Sequence, residues 1–537
     1  MPSASEIQRN LIQRVNVGDS LTRAAARYPD RLALVEEAGT PAERRLTYRE
    51  LNSLVNRFAH GLAGLGYARG DALALASGNS VEFLVTYYAC AKLGVVCVPV
   101  NLGWRADEVA YVLGHSKSRG IVIEAQLIPA FRDAIAKVPG VRDSIVAPGV
   151  STGRERSEWE EAVLFADLCL GPDAEPECYV ADRDPITYLY TSGTTSFPKG
   201  VVGNHTAIYL ESLSMAVEAR FNETDRFAAM MPFFHTAQLN CHCTTALMVG
   251  ASLYIMRGFD AGGLLSLIES EKITQIFGLP MMYRAMLDDP TVRSRDLSSL
   301  RRALYAMATM PEAQLRACLE VFGCDFYLLF GQTEMSPTTS LFRPEHQLSH
   351  AGAVGSPVVN VQVGIMAQDG ALLPQGADGE IVYRGPHALT EYLDNEAATD
   401  EAFEHGWFHS GDIGRFDADG LLWFTDRRKD VIKTGGENVA SIEVEKAVYA
   451  ASGDIAEAVV VGLPHERWTE AITAIVVPRP GADVSAEMLL ASVRSHLDGY
   501  KAPKAVIVVS ELPRTSTGKI QKNVLREQYA HFYDGRL

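Results

Sequence analysis

The chain has little cysteine, no long apolar run and no excess of basic residues, and each deficit excludes a class of protein. Eight cysteines are spread over 537 residues, none in CxxC spacing, so neither a disulfide scaffold nor a zinc module is indicated. No run approaches the roughly 20 apolar residues of a membrane span, and the chain does not start with the apolar core of a signal peptide. We therefore expect a reduced, cytoplasmic protein without a membrane span.

The charge balance is acidic. Lysine and arginine total 49 against 66 aspartate and glutamate residues, which gives a net charge of −17. A surface of this sign gains little from a nucleic-acid backbone, so general nucleic-acid binding is not expected. A local basic pocket for a nucleotide is compatible with this balance.

Short β-rich runs alternate with helical patterns along most of the chain. A helical pattern after Thr47 precedes the strand-like run DALALAS, the helix-like run SVEFLVTYYACAKLG and the strand-like run VVCVPV. This alternation predicts an α/β fold with largely parallel sheets, and the length predicts more than one domain. The pattern changes after the charge cluster TDRRKD. We therefore expect a large N-terminal domain of layered sheets and helices over residues 1–428 and a small α+β domain over 429–537.

One loop stands out, TSGTTSFPKG at residues 191–200. Small residues let backbone amides approach an anion, hydroxyls add donors, and Lys199 adds a positive charge. The loop follows the apolar run at 186–190, so it lies at a strand end. It is not a Walker A loop, because glycine rather than serine or threonine follows the lysine. Composition alone leaves two interpretations, a phosphate cradle and a polar surface turn.

The loop resembles the phosphate-binding motif of the adenylate-forming superfamily, which contains acyl- and aryl-CoA synthetases, peptide-synthetase adenylation domains and luciferases. Ser196 stands where that family usually has glycine. The resemblance extends over about residues 20 to 527, because five more segments resemble the family's motifs in the family's order. These are PFFHTAQ at 232–238, LLFGQTE at 328–334, WFHSGDIG at 407–414, DRRKDVIKTGGENV at 426–439 and PRTSTGKIQK at 513–522.

The resemblance implies that a carboxylate attacks the α-phosphorus of ATP and pyrophosphate leaves. Two anions must meet in this reaction, so catalysis is mainly charge neutralisation and alignment. Glu334 is implied to bind Mg²⁺, a cation that prefers oxygen ligands, and Thr333 to hydrogen-bond the α-phosphate. Lys519 is implied to reach both the carboxylate and the α-phosphate. The residues implied to take part in catalysis are thus Lys519, Glu334, Thr333 and His235.

The same resemblance implies an ATP site. Phe330, where tyrosine is more usual, would stack on adenine, and Asp412 would accept the ribose hydroxyls with support from Arg427. The phosphate loop would hold the β- and γ-phosphates. The implied nucleotide-binding residues are Thr191, Ser192, Gly193, Thr194, Thr195, Lys199, Phe330, Gly331, Asp412 and Arg427.

A second half-reaction is implied, in which the acyl group passes to coenzyme A. The resemblance implies that the small domain rotates about Lys429, which withdraws Lys519 and brings the 433–439 loop to the site. Glycines there would let a pantetheine arm pass close to the backbone. Ala502 stands where some aryl-CoA ligases have arginine. The implied CoA-binding residues are Lys433, Gly435, Gly436, Trp468, Tyr500, Lys501 and Lys504.

The acid is specified least. His235 stands where amino-acid adenylation domains carry aspartate, which disfavours an α-amino acid. FGQTEMSP resembles medium-chain fatty-acid and aryl-acid ligases, whereas HTAQLNCHC is similar to carnitine/crotonobetaine-type ligases, which would fit a polar acid. The short spacing between Glu334 and Asp412 favours CoA over a carrier protein as acceptor. The implied acyl-pocket residues are His235, Thr236, Gln238, Asn240, Met307 and Ala308.

Several alternatives stay open. The chain could form an acyl-AMP for a carrier protein, or be a catalytically silent nucleotide- or acyl-binding protein, although the intact charged motifs argue against the latter. His205 could pack or act. A metal site at Cys241, His242 and Cys243 is disfavoured, since no second ligand pair accompanies it. The oligomeric state is undetermined, with a homodimer as one option.

Overall fold

The chain folds as two units that are not consecutive in sequence. One unit comprises Met1–Val363 with Tyr383–Phe408, and the other Gly364–Val382 with His409–Leu537. The computed structural model describes residues 2–149, 162–191, 198–308, 310–497, 499–514 and 520–534. The pivot expected at Lys429 concerns a motion of the small domain, which the division into two units does not test. The predicted domain boundary between residues 428 and 429 therefore stays a prediction.

The helices and strands below are numbered in chain order. The α-helices are α1 Ala4–Gln13, α2 Val17–Arg27, α3 Tyr48–Gly64, α4 Val81–Leu93, α5 Ala106–His115, α6 Ile128–Ala136, α7 Phe165–Leu168, α8 His205–Glu218, α9 Thr244–Val249, α10 Ala261–Glu271, α11 Pro280–Asp288, α12 Glu312–Phe322, α13 Glu396–Ala402, α14 Ser441–Ala451, α15 Ala486–Arg494 and α16 Lys522–Gln528. The strands are β1 Leu32–Glu36, β2 Arg44–Thr47, β3 Ala72–Ala76, β4 Val96–Pro99, β5 Ser118–Glu124, β6 Asp143–Ala147, β7 Val163–Leu164, β8 Pro185–Thr191, β9 Lys199–Asn204, β10 Arg226–Ala229, β11 Ser252–Ile255, β12 Gln275–Gly278, β13 Arg302–Tyr305, β14 Asp325–Gly331, β15 Thr338–Phe342, β16 Ser356–Pro357, β17 Gln362–Met366, β18 Gly379–Arg384, β19 Phe408–Phe416, β20 Leu422–Arg427, β21 Ile432–Thr434, β22 Glu437–Val439, β23 Ile455–His465, β24 Thr469–Pro478 and β25 Ala505–Val508.

The first unit contains two largely parallel sheets, as the α/β alternation predicted. Their strand orders are β7-β6-β5-β3-β4-β8-β9 and β16-β15-β14-β13-β12-β10-β11-β1-β2. Strands β3 and β4 are buried along their whole length, which is why they read as continuous apolar runs. Helix α4 is buried throughout; Lys92 inside it pairs with Glu175 at 2.7 Å, so its charge is compensated.

Antiparallel strands stand at the edges of these sheets. Strand β9 pairs antiparallel with β8, and β15 turns back along β14. The central strands β10 to β14 run parallel. Their carboxyl ends therefore lie along one edge, where ligands of α/β proteins usually bind.

The second unit has two small sheets of its own. One has the order β17-β18-β19-β20, and the other β22-β21-β24-β23 with β25 on β24. Helices α14 and α15 bury Val444, Val448 and Leu489 against one face of the second sheet, while Leu525 of α16 packs on its other face. This matches the small α+β domain with its own core expected from the change of pattern. In the described ranges, no helix has both the length and the apolarity to cross a bilayer.

Candidate functional site

A hairpin brings together the two ends of the proposed phosphate loop. Thr191 is the last residue of β8 and Lys199 the first of β9, and the two pair directly across the antiparallel ladder. The intervening loop residues Ser192, Gly193, Thr194, Thr195 and Ser196 lie outside the described residues. Their roles therefore stay predictions.

Tyr392 connects the lysine of this hairpin to the glutamate of the next motif. Its segment runs along β9, with hydrogen bonds from Leu393 N to Gly200 O (2.8 Å) and from Thr390 N to Val202 O (2.9 Å). The Tyr392 hydroxyl donates to Glu334 Oε1 at 3.0 Å, and Lys199 Nζ lies 4.9 Å from the centre of its ring. Burial, reinforced by Glu334, raises the pKa of Tyr392 well above its ordinary value, so the phenol stays a donor near neutral pH.

The turn that carries Thr333 and Glu334 is held by its backbone. Both residues lie in a short 3₁₀ helix after β14, and Gln332 N donates to Pro337 O at 3.0 Å. A Cβ at Gly331 would collide with that same Pro337 carbonyl, so only glycine fits. Phe330 is half-buried at the end of β14.

A buried carboxylate and histidine support this turn from behind. Glu211 Oε2 lies 3.2 Å from His387 Nδ1, and both side chains are fully buried. Asn360 donates to His387 Nε2 at 2.9 Å, so the ring proton sits on Nδ1, facing Glu211. The backbone around His387 also bonds to the turn. Ser336 Oγ donates to His387 O at 2.9 Å, and Leu389 N donates to Glu334 O at 2.7 Å. Sequence reasoning missed this pair, because residues so distant in sequence share no local pattern.

The predicted acyl-pocket segment is folded as a π-helix, Ala237–Cys243, a rare form that often occurs at functional sites. Gln238 Oε1 accepts from Met231 N (3.2 Å), and Asn240 Nδ2 donates to Thr236 Oγ1 (2.9 Å). These polar side chains thus bond within the protein. Burial lowers the pKa of His235 to about 4, so its imidazole is neutral near pH 7.

A polar clamp fixes the turn that precedes this segment. Asn79 accepts from Phe233 N at 2.9 Å and donates to Met231 O at 2.9 Å. Its own carbonyl accepts from Arg257, whose guanidinium also donates to the buried Glu124 at 2.5 Å. Glu124 ends β5 in one sheet and Arg257 follows β11 in the other, so this pair joins the two sheets at their carboxyl ends.

Met307 has a strained backbone at the end of β13. Its φ is +72°, a left-handed conformation that costs a non-glycine residue about 1–2 kcal/mol. The side chain is 57% exposed, and the neighbouring Ala308 is exposed as well.

The second unit carries the predicted ribose-binding pair. Asp412 of β19 and Arg427 of β20 face each other in register, and Arg427 Nε lies 3.2 Å from Asp412 Oδ1. Asp412 is buried, and Asp426 holds the start of α14 by accepting from Ser441 N. The pair is therefore rigidly placed relative to the small domain's first helix.

The structure describes the predicted hinge residue, Lys429, but not the predicted catalytic lysine, Lys519. Lys429 is exposed, and Asp430 beside it pairs with Arg526 at 2.9 Å. Lys519 lies outside the described residues. The residues on either side of its segment, Arg514 and Ile520, form an antiparallel bridge.

Several predicted CoA-binding residues meet around one tryptophan. Gly435 N donates to Trp468 O at 2.8 Å, and a Cβ at Gly435 would lie only 3.1 Å from the Trp468 ring. Lys504 Nζ lies 4.8 Å from the ring centre and the Arg467 guanidinium 4.7 Å. Arg467 was missed from the sequence, since it lies in no family motif.

The other predicted CoA-binding residues lie around this group or beside it. Gly436 completes the β21–β22 hairpin with φ +91°, and Lys433 on that hairpin is exposed. Lys501 pairs with Glu443 at 2.7 Å and lies 5.7 Å from the ring centre of Tyr500. Ala502 is buried.

The structure places the two histidines that the sequence left open. His205 is fully buried, and its Nδ1 accepts from Val17 N at 3.2 Å, so it packs. His242 stacks on Phe277 with ring centres 4.4 Å apart. In the part of the chain that the structure describes, no cluster of three or more histidine, cysteine or acidic residues could hold a metal.

Comparisons with known proteins agree with this geometry. The AMP-binding enzyme family matches residues 21–393, and the AMP-binding enzyme C-terminal domain matches residues 443–519. The chain is 35% identical to the long-chain-fatty-acid–CoA ligase FadD13 of Mycobacterium tuberculosis, over 96% of this chain and 99% of that one. It is 34% identical to a feruloyl-CoA synthase of Amycolatopsis sp, over 94% and 97%. ATP-bound MatB from Rhodopseudomonas palustris superposes with a TM-score of 0.88 at 27% identity, over 97% of this chain and 100% of MatB.

Proposed function

Since the chain belongs to the AMP-binding enzymes and is an AMP-forming acid–thiol ligase, we propose that it activates a medium-chain fatty acid or an aryl acid and transfers it to coenzyme A. The observation that carries the proposal is the Lys199–Tyr392–Glu334 arrangement. It joins the lysine of the phosphate motif to the glutamate of the next motif through one side chain.

In the first half-reaction these residues neutralise and align two anions. Lys199 and the loop before it would hold the departing pyrophosphate. Tyr392 fixes one oxygen of Glu334, and a carboxylate so oriented fits Mg²⁺, whose charge would draw the phosphates together. Thr333 would donate to the α-phosphate, and Lys519 would reach the carboxylate of the acid and the α-phosphate.

The nucleoside is proposed to bind residues of two of the family motifs. Phe330 offers an adenine-stacking face, without the hydroxyl that a tyrosine would add. Asp412 would accept the ribose hydroxyls, and the Arg427 guanidinium at 3.2 Å keeps its carboxylate oriented. Arg427 was assigned a supporting role from sequence, and the ion pair is consistent with that role.

The second half-reaction would use the small domain's glycine hairpin. Gly435 lies against Trp468, and the cationic groups of Lys504 and Arg467 lie over the indole ring. A cation-flanked indole suits a nucleotide, because the ring can stack on a base while the cations pair with phosphates. We place the pivot that exchanges the two half-reactions at Lys429.

The acid itself is proposed to be apolar. His235 is neutral, and the side chains of Gln238 and Asn240 form hydrogen bonds to partners within the protein. A charged or strongly polar acid, such as a carnitine-like one, would need counter-groups that these residues do not supply. This weighs against the carnitine/crotonobetaine-type alternative.

A panel of acids tests the proposal directly. The full chain is supplied with ATP, Mg²⁺ and hexanoate, decanoate, benzoate, ferulate, crotonobetaine or an α-amino acid, with and without CoA. We expect pyrophosphate and AMP with the alkyl or aryl acids and thioester only when CoA is present. Pyrophosphate release without thioester would favour a carrier protein as acceptor, and no reaction with the alkyl and aryl acids would contradict the proposed substrate class.

Lys519→Ala separates the two half-reactions. The variant should lose acid-dependent pyrophosphate release by orders of magnitude, because the charge that bridges the two anions is gone. Thioester formation from supplied acyl-AMP should be retained. Lys522→Ala, which removes a lysine of the same motif that pairs with Glu445 at 2.9 Å, is the matched control and should keep adenylation. Equal loss of both half-reactions in Lys519→Ala would contradict the two-state assignment.

A further inference from the structure

Methionines are concentrated at one edge of the larger sheet of the first unit. The chain has 14 methionines, and more than half of them follow the ends of the five parallel strands β10 to β14 within a few residues. Since those strands are parallel neighbours, the methionines share one edge, here called the methionine edge. Its members are Met230, Met231, Met256, Met281, Met282, Met307, Met310 and Met335.

The strand register and a glycine bring three of these side chains together. Ala229 pairs with Ile255, so Met230 and Met256 follow side by side on neighbouring strands. A Cβ at Gly278, on the other side of Met230, would lie 3.2 Å from Met230 Cε and 3.3 Å from Met282 Sδ. The absence of a side chain at Gly278 therefore leaves the space that the thioethers of Met230 and Met282 occupy.

Burial changes along this edge. Met230, Met231, Met310 and Met335 are buried to below a tenth exposed, whereas Met281 and Met307 are 53% and 57% exposed. Two charged side chains lie among the residues that follow these strand ends, and both have partners: Arg257 pairs with Glu124, and Glu334 accepts a hydrogen bond from Tyr392. The edge thus combines buried methionines with two exposed ones.

We propose, building on the proposed acyl-CoA ligase function, that the methionine edge is the wall against which an unbranched alkyl chain lies and that Met307 determines this specificity. Methionine is unbranched and polarisable, so a wall of several methionines adapts to chains of different lengths. A rigid aryl ring needs a slot of fixed shape, which such a wall does not provide. Binding of the alkyl chain would then explain why an exposed methionine occupies this strained backbone position at the predicted pocket.

The test compares two substitutions that both tolerate a left-handed backbone, Met307→Gly and Met307→Asn. Met307→Asn should raise the KM for decanoate about tenfold, as a lost apolar contact does, and leave the KM for ATP unchanged. Met307→Gly should improve turnover of bulkier acids relative to decanoate, because it opens the wall. Met488→Asn, at a 75% exposed methionine of the second unit, is the matched control and should behave as wild type.

Calorimetric titration of decanoate without ATP distinguishes failure of this proposal from failure of the proposed function. Weaker decanoate binding in Met307→Asn than in wild type supports the methionine edge even if no acid is turned over. Equal decanoate affinity in both, an equal rise in the KM for ATP, or a wild-type preference for aryl or polar acids over alkyl acids would overturn it.

Discussion

At the scale of single residues, Tyr392 has the most consequential contacts. Its ring lies under Lys199 and its hydroxyl holds Glu334, so one side chain can orient two charged groups. The hydroxyl and the ring act on different partners, so a substitution can remove one and keep the other.

Tyr392→Phe should therefore lower the rate of acid-dependent pyrophosphate release about tenfold, because a hydrogen bond to a carboxylate contributes roughly 1.5–3 kcal/mol. The apparent affinity for Mg²⁺ should fall with it. Steady-state pyrophosphate assays over a Mg²⁺ titration measure both. Tyr209→Phe is the control, because the Tyr209 hydroxyl makes only a long, exposed hydrogen bond of 3.4 Å, which it accepts from Arg23. An unchanged rate in Tyr392→Phe would mean that Glu334 is oriented by other groups.

At the scale of elements, the two sheets of the first unit are joined by an ion pair at their carboxyl ends. Glu124 is buried while Arg257 is a quarter exposed, and Asn79 extends the connection to the turn before the acyl segment. The sheets thus meet through a polar clamp beside the site rather than through apolar packing alone.

Arg257→Ala should destabilise the protein by about 3 kcal/mol or more, since it leaves a buried carboxylate unpaired. The double variant Glu124→Gln with Arg257→Met should lose less, because no uncompensated charge remains. Urea unfolding of the full chain measures both free energies. A larger loss in the double variant than in Arg257→Ala would show that the clamp stabilises through its geometry and not through charge compensation.

At the scale of the whole molecule, two fully buried histidines and one partly buried histidine link stability to pH. Burial lowers the pKa of His205, His235 and His242 to about 4 each, against about 6.5 in an unfolded chain. Between these values the unfolded state binds more protons than the folded one. Stability should therefore be complete above about pH 6.5 and fall as the pH decreases towards 4.

The slope of this loss is testable between pH 6.5 and 5, above the ordinary range of carboxylates. His205→Asn keeps an acceptor for Val17 N and removes one titrating group, so the free energy of unfolding should fall less steeply with decreasing pH. Equal slopes in the wild-type protein and in His205→Asn would show that His205 does not titrate in this way.

The sequence predicted the elements whose patterns are local. The helical run after Thr47 is α3, and the runs SVEFLVTYYACAKLG and VVCVPV contain α4 and β4. These succeeded because burial on one face or on both leaves a periodic or continuous apolar pattern. The family motifs named Asp412 and Arg427, which the structure places 3.2 Å apart; their role at the ribose stays a prediction.

What the sequence could not predict depends on distant pairing or on unusual backbone. The hydrogen bond of Tyr392 to Glu334, the burial of Glu211 with His387 and the clamp at Arg257 all join segments far apart in the chain. The π-helix at Ala237–Cys243 has no periodicity that separates it from an ordinary helix. The left-handed backbone at Met307 was equally hidden, because methionine gives no signal for it.

The interleaving of the two units also sets an order of events during synthesis. A ribosome releases Glu334 before it releases Tyr392, and between them it makes Gly364–Val382, which belongs to the other unit. A nascent chain that ends at Val363 contains Glu334, the proposed metal-binding carboxylate, without the Tyr392 phenol that hydrogen-bonds to it. The contact between Tyr392 and Glu334 can therefore form only after Gly364–Val382, a segment of the second unit, and the following part of the first unit have been synthesised.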